Sequence, residues 1–113
     1  MECQVISILF VLFSVFPKIT EKPRDLYVKA GEDFELHCQA EGYPEPQVSW
    51  EKDGGSNFPA ASDKRMDYSS EKKVFVFKNA TPVDSGEYTC KATNDAGSAS
   101  ASALVTVLGD WYS

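Results

Sequence analysis

The sequence predicts an all-β fold in which two sheets pack face to face, and three observations support it. From residue 17 onward the 113-residue chain consists of short runs of alternating character, broken by Gly, Pro, Asn and Asp. No window shows the sustained 3.6-residue periodicity of an amphipathic helix. Hydrophobic residues make up 42% of the chain, enough to fill a core between two sheets. Short strands at this spacing predict a two-sheet sandwich.

The clearest predicted strand covers residues 34–40, in which Phe34, Leu36 and Cys38 share one face and polar residues share the other. An Asn-Asp-Ala-Gly sequence at 94–97 predicts a hairpin turn between two later strands. The same alternation predicts strands at residues 47–51, 74–77, 88–92 and 100–107, with short edge strands within 56–70.

Three cysteines, Cys3, Cys38 and Cys90, raise the question of which one is unpaired. Cys3 lies in an apolar leader, whereas Cys38 and Cys90 lie in strand-like sequence. We therefore pair Cys38 with Cys90. A structural disulfide implies an oxidising compartment, so the domain is expected to be secreted or to lie on the extracellular side of the plasma membrane.

Residues 1–16 form an apolar leader, of which residues 4–16 carry no charge. This stretch is shorter than the about 20 residues of a membrane-spanning helix, but it has the length of a signal-peptide core. The positions before it contain no Lys or Arg, so residues 1–16 are interpreted either as a signal peptide or as a non-native leader. Neither the predicted domain at 17–108 nor the tail at 109–113 contains a second apolar stretch, so no membrane span is expected there.

The charge balance and the residue pattern argue against several function classes. The net charge is −6 and the sequence pI is about 4.7, so the surface repels phosphate backbones and no nucleic-acid partner is predicted. His37 is the single histidine, and in a strand it points away from Cys38, so no metal site is predicted. No nucleophile, base and oxyanion donor occur together in a motif, so neither catalysis nor a cofactor is expected.

The residues around the two cysteines form a second pattern, which indicates the type of sandwich. Trp50 lies between the paired cysteines, and Asp84, Gly86 and Tyr88 precede the second cysteine at alternate positions. Tyr88 stands two residues before that cysteine, the position of a tyrosine corner whose hydroxyl bonds to upstream backbone. Together with the Gly-x-Pro-x-Pro turn at 42–46, these residues resemble the I-set immunoglobulin pattern over the whole predicted domain.

The resemblance implies a sandwich in which one inter-sheet disulfide crosses the core beside Trp50. More narrowly, residues 50–66 resemble the middle immunoglobulin domain of the leucine-rich-repeat and immunoglobulin-like (LRIG) family. Its members are single-pass cell-surface proteins that modulate receptors. The resemblance therefore implies an extracellular protein-binding or adhesion role, with a protein partner such as a cell-surface receptor. The alternative is a muscle-type I-set domain that serves as an intracellular spacer and needs neither leader nor disulfide.

Two groups of residues are candidates for sites in an extracellular domain. The Asn-Ala-Thr sequence at Asn79 is an N-glycosylation sequon, which is usable only if the chain is secreted. Tyr43, Phe58, Arg65 and Met66 lie in the Pro-rich turn and the irregular stretch, where aromatic and Arg side chains are candidate partner anchors. The alternative, which we favour for Tyr43, Phe58 and Met66, is that they cap the ends of the sandwich. We expect specific contacts at these loop and edge positions and not on a sheet face.

Two further contacts are predicted at one end of the sandwich. The Tyr88 hydroxyl is expected to bond to backbone near Asp84. Arg65 is expected to form an ion pair with Asp84, as in many immunoglobulin domains. Both contacts would make Asp84 a structural residue of the fold.

Overall fold

Segments in which apolar and polar residues alternate form β-strands over most of the chain. The structure is a computed structural model that describes residues 13–69 and 73–109. The strands within these residues are β1 (Val15–Glu21), β2 (Leu26–Lys29), β3 (Phe34–His37), β4 (Gln39–Tyr43), β5 (Gln47–Lys52), β6 (Met66–Ser69), β7 (Val74–Phe77), β8 (Gly86–Asn94) and β9 (Gly97–Leu108). A four-residue helix α1 (Pro59–Ser62) and a 3-10 turn (Pro82–Asp84) lie between strands.

The strands are arranged in two layers. In the first layer β1 pairs with β4, and β3 pairs with β7, which in turn pairs with β6. Only Cys38 separates β3 from β4, so these strands form one continuous layer. In the second layer the order is β2–β9–β8–β5, with β2 parallel to β9 and the other pairs antiparallel. The predicted two-sheet sandwich is confirmed.

The predicted strand at residues 34–40 keeps its alternation but changes partner midway. Phe34, Leu36 and Cys38 are buried, as expected for residues on one face. Before Cys38 the chain pairs with β7, and after it the chain pairs with β1. One continuous pattern thus supplies two strands, because burial depends on the face of the sheet and not on which strand lies alongside.

The irregular stretch at residues 56–70 differs in part from the prediction of short edge strands. Met66–Ser69 is such a strand, but Pro59–Ser62 is a helix. Pro59 occupies its first turn, where the missing N–H is not needed, and the two alanines that follow are strong helix formers. A single helical turn is too short to produce a periodic pattern in the sequence.

The core lies between the layers and is rich in aromatic rings. Phe34 stacks on Phe77 with ring centroids 4.5 Å apart, and Phe77 meets Tyr88 of the opposite layer edge-on at 5.5 Å. Such contacts add to the free energy of burying the rings. Residues contributing to this cluster come from both layers: Val28, Phe34, Leu36, Phe58, Ala60, Phe75, Phe77, Ala80, Tyr88, Val105 and Val107.

The predicted leader falls largely outside the described residues, which begin at residue 13, and so do Cys3 and most of the predicted tail. Within the leader range, Val15 and Phe16 belong to β1, where Val15 is the register partner of Tyr43. In the described part of the chain, no helix has the length and apolar character needed to cross a membrane.

Candidate functional site

The predicted Cys38–Cys90 bond joins the two layers. The Cα atoms of the two cysteines are 6.5 Å apart. Trp50 is the register partner of Cys90, so its indole lies beside that cysteine on the core face, and it packs edge-on against Phe75. On the loop-entropy estimate, a cross-link over a sequence separation of 52 residues stabilises the fold by about 4 kcal/mol.

Tyr88 forms the predicted tyrosine corner. Its side chain is 1% exposed, and its hydroxyl donates a hydrogen bond to the carbonyl oxygen of Asp84, 2.5 Å away. Burial raises the pKa of the Tyr88 hydroxyl above its ordinary value, because the phenolate would be poorly solvated there. The hydroxyl therefore remains a donor over the whole physiological pH range.

The predicted Arg65–Asp84 pair is present at the same end of the sandwich. Nη1 and Nη2 of Arg65 donate to the two carboxylate oxygens of Asp84 at 2.8 and 3.1 Å. The backbone N–H of Thr81 donates to the same carboxylate at 3.0 Å. Hydrogen bonding to Asp84 raises the pKa of Arg65. Bidentate, charge-assisted bonds to a fully buried carboxylate make this pair part of the framework.

Gly86 leaves room for a neighbouring ionic contact. A Cβ atom at Gly86 would lie 2.7 Å from Oδ2 of Asp53, so a side chain at this position would displace the Asp53 carboxylate. Asp53 accepts hydrogen bonds from the Glu87 N–H at 2.9 Å and from Nζ of Lys52 at 3.0 Å, and these two contacts lower the pKa of Asp53. The Lys52 ammonium also lies 5.8 Å from the centroid of the Tyr88 ring.

The four candidate partner anchors are not brought together on one surface. Phe58 is buried at 9% exposure and packs against Phe75, so its assignment as a partner anchor is wrong: it is a core residue. Met66 is partly buried against the same core. Arg65 is committed to its ion pair, with only 13% of its side chain exposed. Tyr43 is exposed to 42% at the opposite end of the sandwich.

Three exposed apolar side chains that the sequence analysis did not select share the outer face of the second layer. Tyr27, Leu104 and Leu108 are 80%, 57% and 51% exposed. β2 runs parallel to β9 with Tyr27 opposite Thr106, so Tyr27 lies on the outer face between the two leucines. We call these three residues the Tyr27 patch. The alternation of the last strand predicted that Leu104 points outward, but it did not predict that β2 lies beside β9.

The charged side chains around His37 form an ion pair and a shallow cleft on the surface. His37 contacts Glu35, with Nε2 and Oε1 3.1 Å apart, and both side chains are substantially exposed. A shallow cleft beside them is lined by residues of mixed charge, including Lys22 and Arg24. Among the residues that the structure describes, no three His, Cys, Asp or Glu side chains are grouped closely enough to hold a metal ion.

Comparisons with known proteins agree with this geometry. The family model for the immunoglobulin I-set domain matches residues 17–107. The chain is 45% identical, over 84% of its length, to leucine-rich repeats and immunoglobulin-like domains protein 3 of Mus musculus. It is 47% identical, over 81% of its length, to protein 2 of the same name from Homo sapiens. The chain spans only 8% and 9% of the lengths of these two relatives.

Solved structures show the same fold. The chain is similar to one in the crystal structure of the titin M10–obscurin-like 1 immunoglobulin complex, with a TM-score of 0.74 and 37% sequence identity. The similarity covers 87% of this chain and 98% of that chain. The same domain type therefore occurs in the leucine-rich repeats and immunoglobulin-like domains proteins and in the titin M10–obscurin-like 1 complex.

Proposed function

The chain belongs to the immunoglobulin I-set family, and we propose that it acts as an extracellular domain that binds another protein, without catalysing a reaction. The observation that carries this proposal is the Tyr27 patch. Exposed apolar side chains that share one face of a soluble domain often mark interaction sites. Tyr is enriched among the residues that dominate interface energies, because its ring buries a large area at low entropic cost.

The surroundings of the Tyr27 patch suit a specific contact. Lys29 lies beside Leu108, and Glu87 lies beside Leu104, so charges of both signs border the apolar groups. Protein interfaces commonly have this arrangement of an apolar centre and a polar rim. The earlier expectation of loop contacts is retained only for Tyr43, as a proposed second contact at the opposite end.

An extracellular location is supported by the disulfide and by the kinship with LRIG cell-surface proteins. We also propose that Asn79 carries an N-linked glycan. Asn79 is exposed, and its backbone N–H donates to Asp33 at 3.0 Å. The Thr81 hydroxyl oxygen of the sequon is buried in the folded domain, so the glycan would have to be added before folding is complete.

Cell-surface binding tests the main proposal. The labelled 113-residue chain should bind intact cells saturably, and Tyr27→Ser combined with Leu104→Ser should weaken this binding roughly tenfold to thirtyfold. Thr93→Ser, an exposed change elsewhere on the same layer, is the matched control and should bind like the unchanged chain. Equal binding by the patch variant, or no saturable binding at all, would refute the proposal.

The second candidate function is a structural spacer in a muscle-type protein. The similarity to the titin M10–obscurin-like 1 complex favours it, because the fold alone serves both roles. Native mass measurement without reductant separates the two functions. A bonded Cys38–Cys90 pair in freshly isolated protein supports the extracellular role, whereas two free thiols would favour the spacer.

A further inference from the structure

The outer face of the second layer carries a pattern that is symmetric about one line across two strands. Tyr27 of β2 is the register partner of Thr106 of β9, and the two strands run parallel. Leu104 and Leu108 lie two residues before and two residues after Thr106 on β9. Because side chains two residues apart share a face, these leucines point outward on either side of the line that joins Tyr27 to Thr106.

The same line separates two opposite charges on β2 and the residues before it. Asp25 lies two residues before Tyr27 and Lys29 lies two residues after it, and all three are exposed. The N–H of Leu104 donates to Oδ1 of Asp25 at 2.8 Å, which places Asp25 beside that leucine. Lys29 is the register partner of Leu108. Each side of the line therefore carries one leucine and one charge, and the two charges have opposite signs.

Both charges are available to an external partner. Lys52 and Lys78 form ion pairs within the domain, whereas the Lys29 ammonium forms none with any residue that the structure describes. Asp25 uses Oδ1 for the Leu104 N–H, and its second carboxylate oxygen accepts no hydrogen bond from a described residue. A second molecule that brings opposite charges to these groups would therefore not have to displace an existing ion pair.

We propose that the occupant of the Tyr27 patch is a second copy of this chain, packed face to face about a two-fold axis along the line from Tyr27 to Thr106. This inference rests on the proposed binding function and names its partner. The axis runs across the strands, so each strand of one copy lies antiparallel over the same strand of the other. Tyr27 then meets Tyr27 of the second copy at the axis, and Leu104 of each copy meets Leu108 of the other.

The two copies are complementary in charge as well as in apolar surface. In this arrangement Asp25 of each copy faces Lys29 of the other, so two ion pairs flank the apolar centre. A closed two-fold interface requires such a self-complementary patch. The alternative axis, parallel to β9, would place Asp25 of each copy over Glu87 of the other, because both lie beside Leu104. Facing like charges oppose association, so the charges select the axis that runs across the strands.

The size of the Tyr27 patch predicts a weak and reversible dimer. Each copy contributes three apolar side chains and two charges, whereas stable interfaces commonly use about 20 to 30 residues a side. Transient complexes bury less than about 1,200 Å² in total. Exposed ion pairs contribute mainly to specificity and are screened by salt. Self-association should therefore be detectable at high protein concentration, or where many copies on two surfaces bind at once.

Sedimentation velocity of charge-reversal variants tests the proposal on the whole chain. The sedimentation coefficient of the unchanged chain should rise reversibly with concentration towards that of a dimer. Lys29→Asp opposes two carboxylates at each contact, and Asp25→Lys opposes two ammonium groups. Each variant should weaken dimerisation about tenfold or more, and should fold because both positions are exposed. Glu51→Lys, an exposed charge reversal on β5 two strands from β9, is the matched control and should dimerise like the unchanged chain.

A mixture of the two variants gives the sharpest measurement. When the Lys29→Asp chain meets the Asp25→Lys chain, opposite charges again face each other at both contacts of the two-fold arrangement. Two variants that are monomeric alone should therefore form a heterodimer when mixed, and the chain that carries both substitutions should dimerise with itself. A charge reversal that acted by disturbing the fold would not be rescued in either experiment.

Cell binding separates this inference from the proposed function on which it rests. If the occupant is a second copy, saturable binding of the labelled chain requires cells that display this chain. Patch-dependent binding to cells that lack it, by a chain that stays monomeric, would overturn the second copy as occupant and leave the binding function standing. A dimer that survives both single reversals, or a mixture without heterodimer, would overturn the proposed arrangement. A chain with neither self-association nor saturable cell binding would refute both.

Discussion

The two ends of the sandwich are held together by different chemistry. At the end where β8 begins, which we call the lower end, Asp84, Arg65 and Tyr88 are joined by bonds that are buried or nearly so. If one of these bonds broke while the domain stayed folded, its donor and acceptor would have little water to replace the lost partner. A buried polar group without a partner is costly, so the lower end is expected to open only when the domain unfolds.

At the opposite, upper end the contacts are closer to solvent. The Asn94 side-chain amide donates to the carbonyl oxygens of Val15 and Pro44 at 2.8 and 2.9 Å, and the Phe16 ring lies against Gly97. Water can replace such bonds when they break, so each contributes less to stability. Stability is therefore expected to be concentrated at the lower end, while the contacts at the upper end can be replaced by water at lower cost.

Removing the buried carboxylate should produce the largest effect. We expect Asp84→Ala to lower the free energy of unfolding by about 3 to 5 kcal/mol, because Arg65 and the Thr81 N–H lose a partner in a largely buried site. Urea denaturation measures the change as a shift of the midpoint. The control is Asp63→Ala, since Asp63 is an exposed partner of Arg65 at 3.4 Å and should cost less than about 1 kcal/mol. Equal losses in the two variants would contradict the distinction between buried and exposed bonds.

The tyrosine corner should produce the next largest effect, and one that depends on pH. Tyr88→Phe should cost about 1 to 3 kcal/mol near neutral pH, because the Asp84 carbonyl loses its buried donor. The folded-state pKa of Tyr88 is raised above its ordinary value of 10.0. Above that pH the unfolded chain releases the phenolic proton while the folded chain retains it, so the unchanged protein loses stability as pH rises. The Tyr88→Phe variant has no phenolic proton, so its stability does not change with pH for this reason.

Denaturation midpoints of both proteins between neutral pH and pH 11 measure this dependence. The stability difference between them should be constant below pH 10 and should shrink above it. A difference that grows with pH would show that the hydroxyl is not held in its neutral form by the fold.

The lower end was predictable from the sequence because its parts are fixed by short spacings. Tyr88 precedes Cys90 by two residues and follows Asp84 by four, and those separations alone place the hydroxyl near the Asp84 carbonyl. The pairing of Cys38 with Cys90 followed from strand-like context. The Tyr88–Asp84 bond depends on local geometry, whereas the disulfide joins distant residues and was predictable because only two of the three cysteines lie in strand-like sequence.

The surfaces were less predictable because they depend on distant pairings. The Tyr27 patch exists because β2 lies beside the end of β9, and Leu104 is 79 residues from the Asp25 side chain that it meets. Phe58 was misplaced for a related reason. The helix that follows it, Pro59–Ser62, turns the chain so that Phe58 reaches Phe75, and one helical turn gives no periodic signal.

The smallest expected effect tests the upper end. Asn94→Ala removes the two amide donors to Val15 and Pro44, and also the acceptor for the Ala96 N–H at 2.8 Å. Because these groups are near solvent, water replaces the lost bonds, and the free energy of unfolding should fall by only about 0.5 to 1.5 kcal/mol. The urea midpoint should decrease while the slope of the transition stays unchanged.

The same substitution has a local consequence that a global measurement does not report. Val15 is held to the turn at Pro44 through Asn94, so the start of β1 should detach more often in the variant. Proteolysis under native conditions should then cleave near Phe16 faster in Asn94→Ala than in Thr93→Ala, the exposed neighbour that serves as control. Equal cleavage would mean that Asn94 does not fasten this strand. A loss of stability as large as that of Asp84→Ala would instead remove the contrast between the two ends.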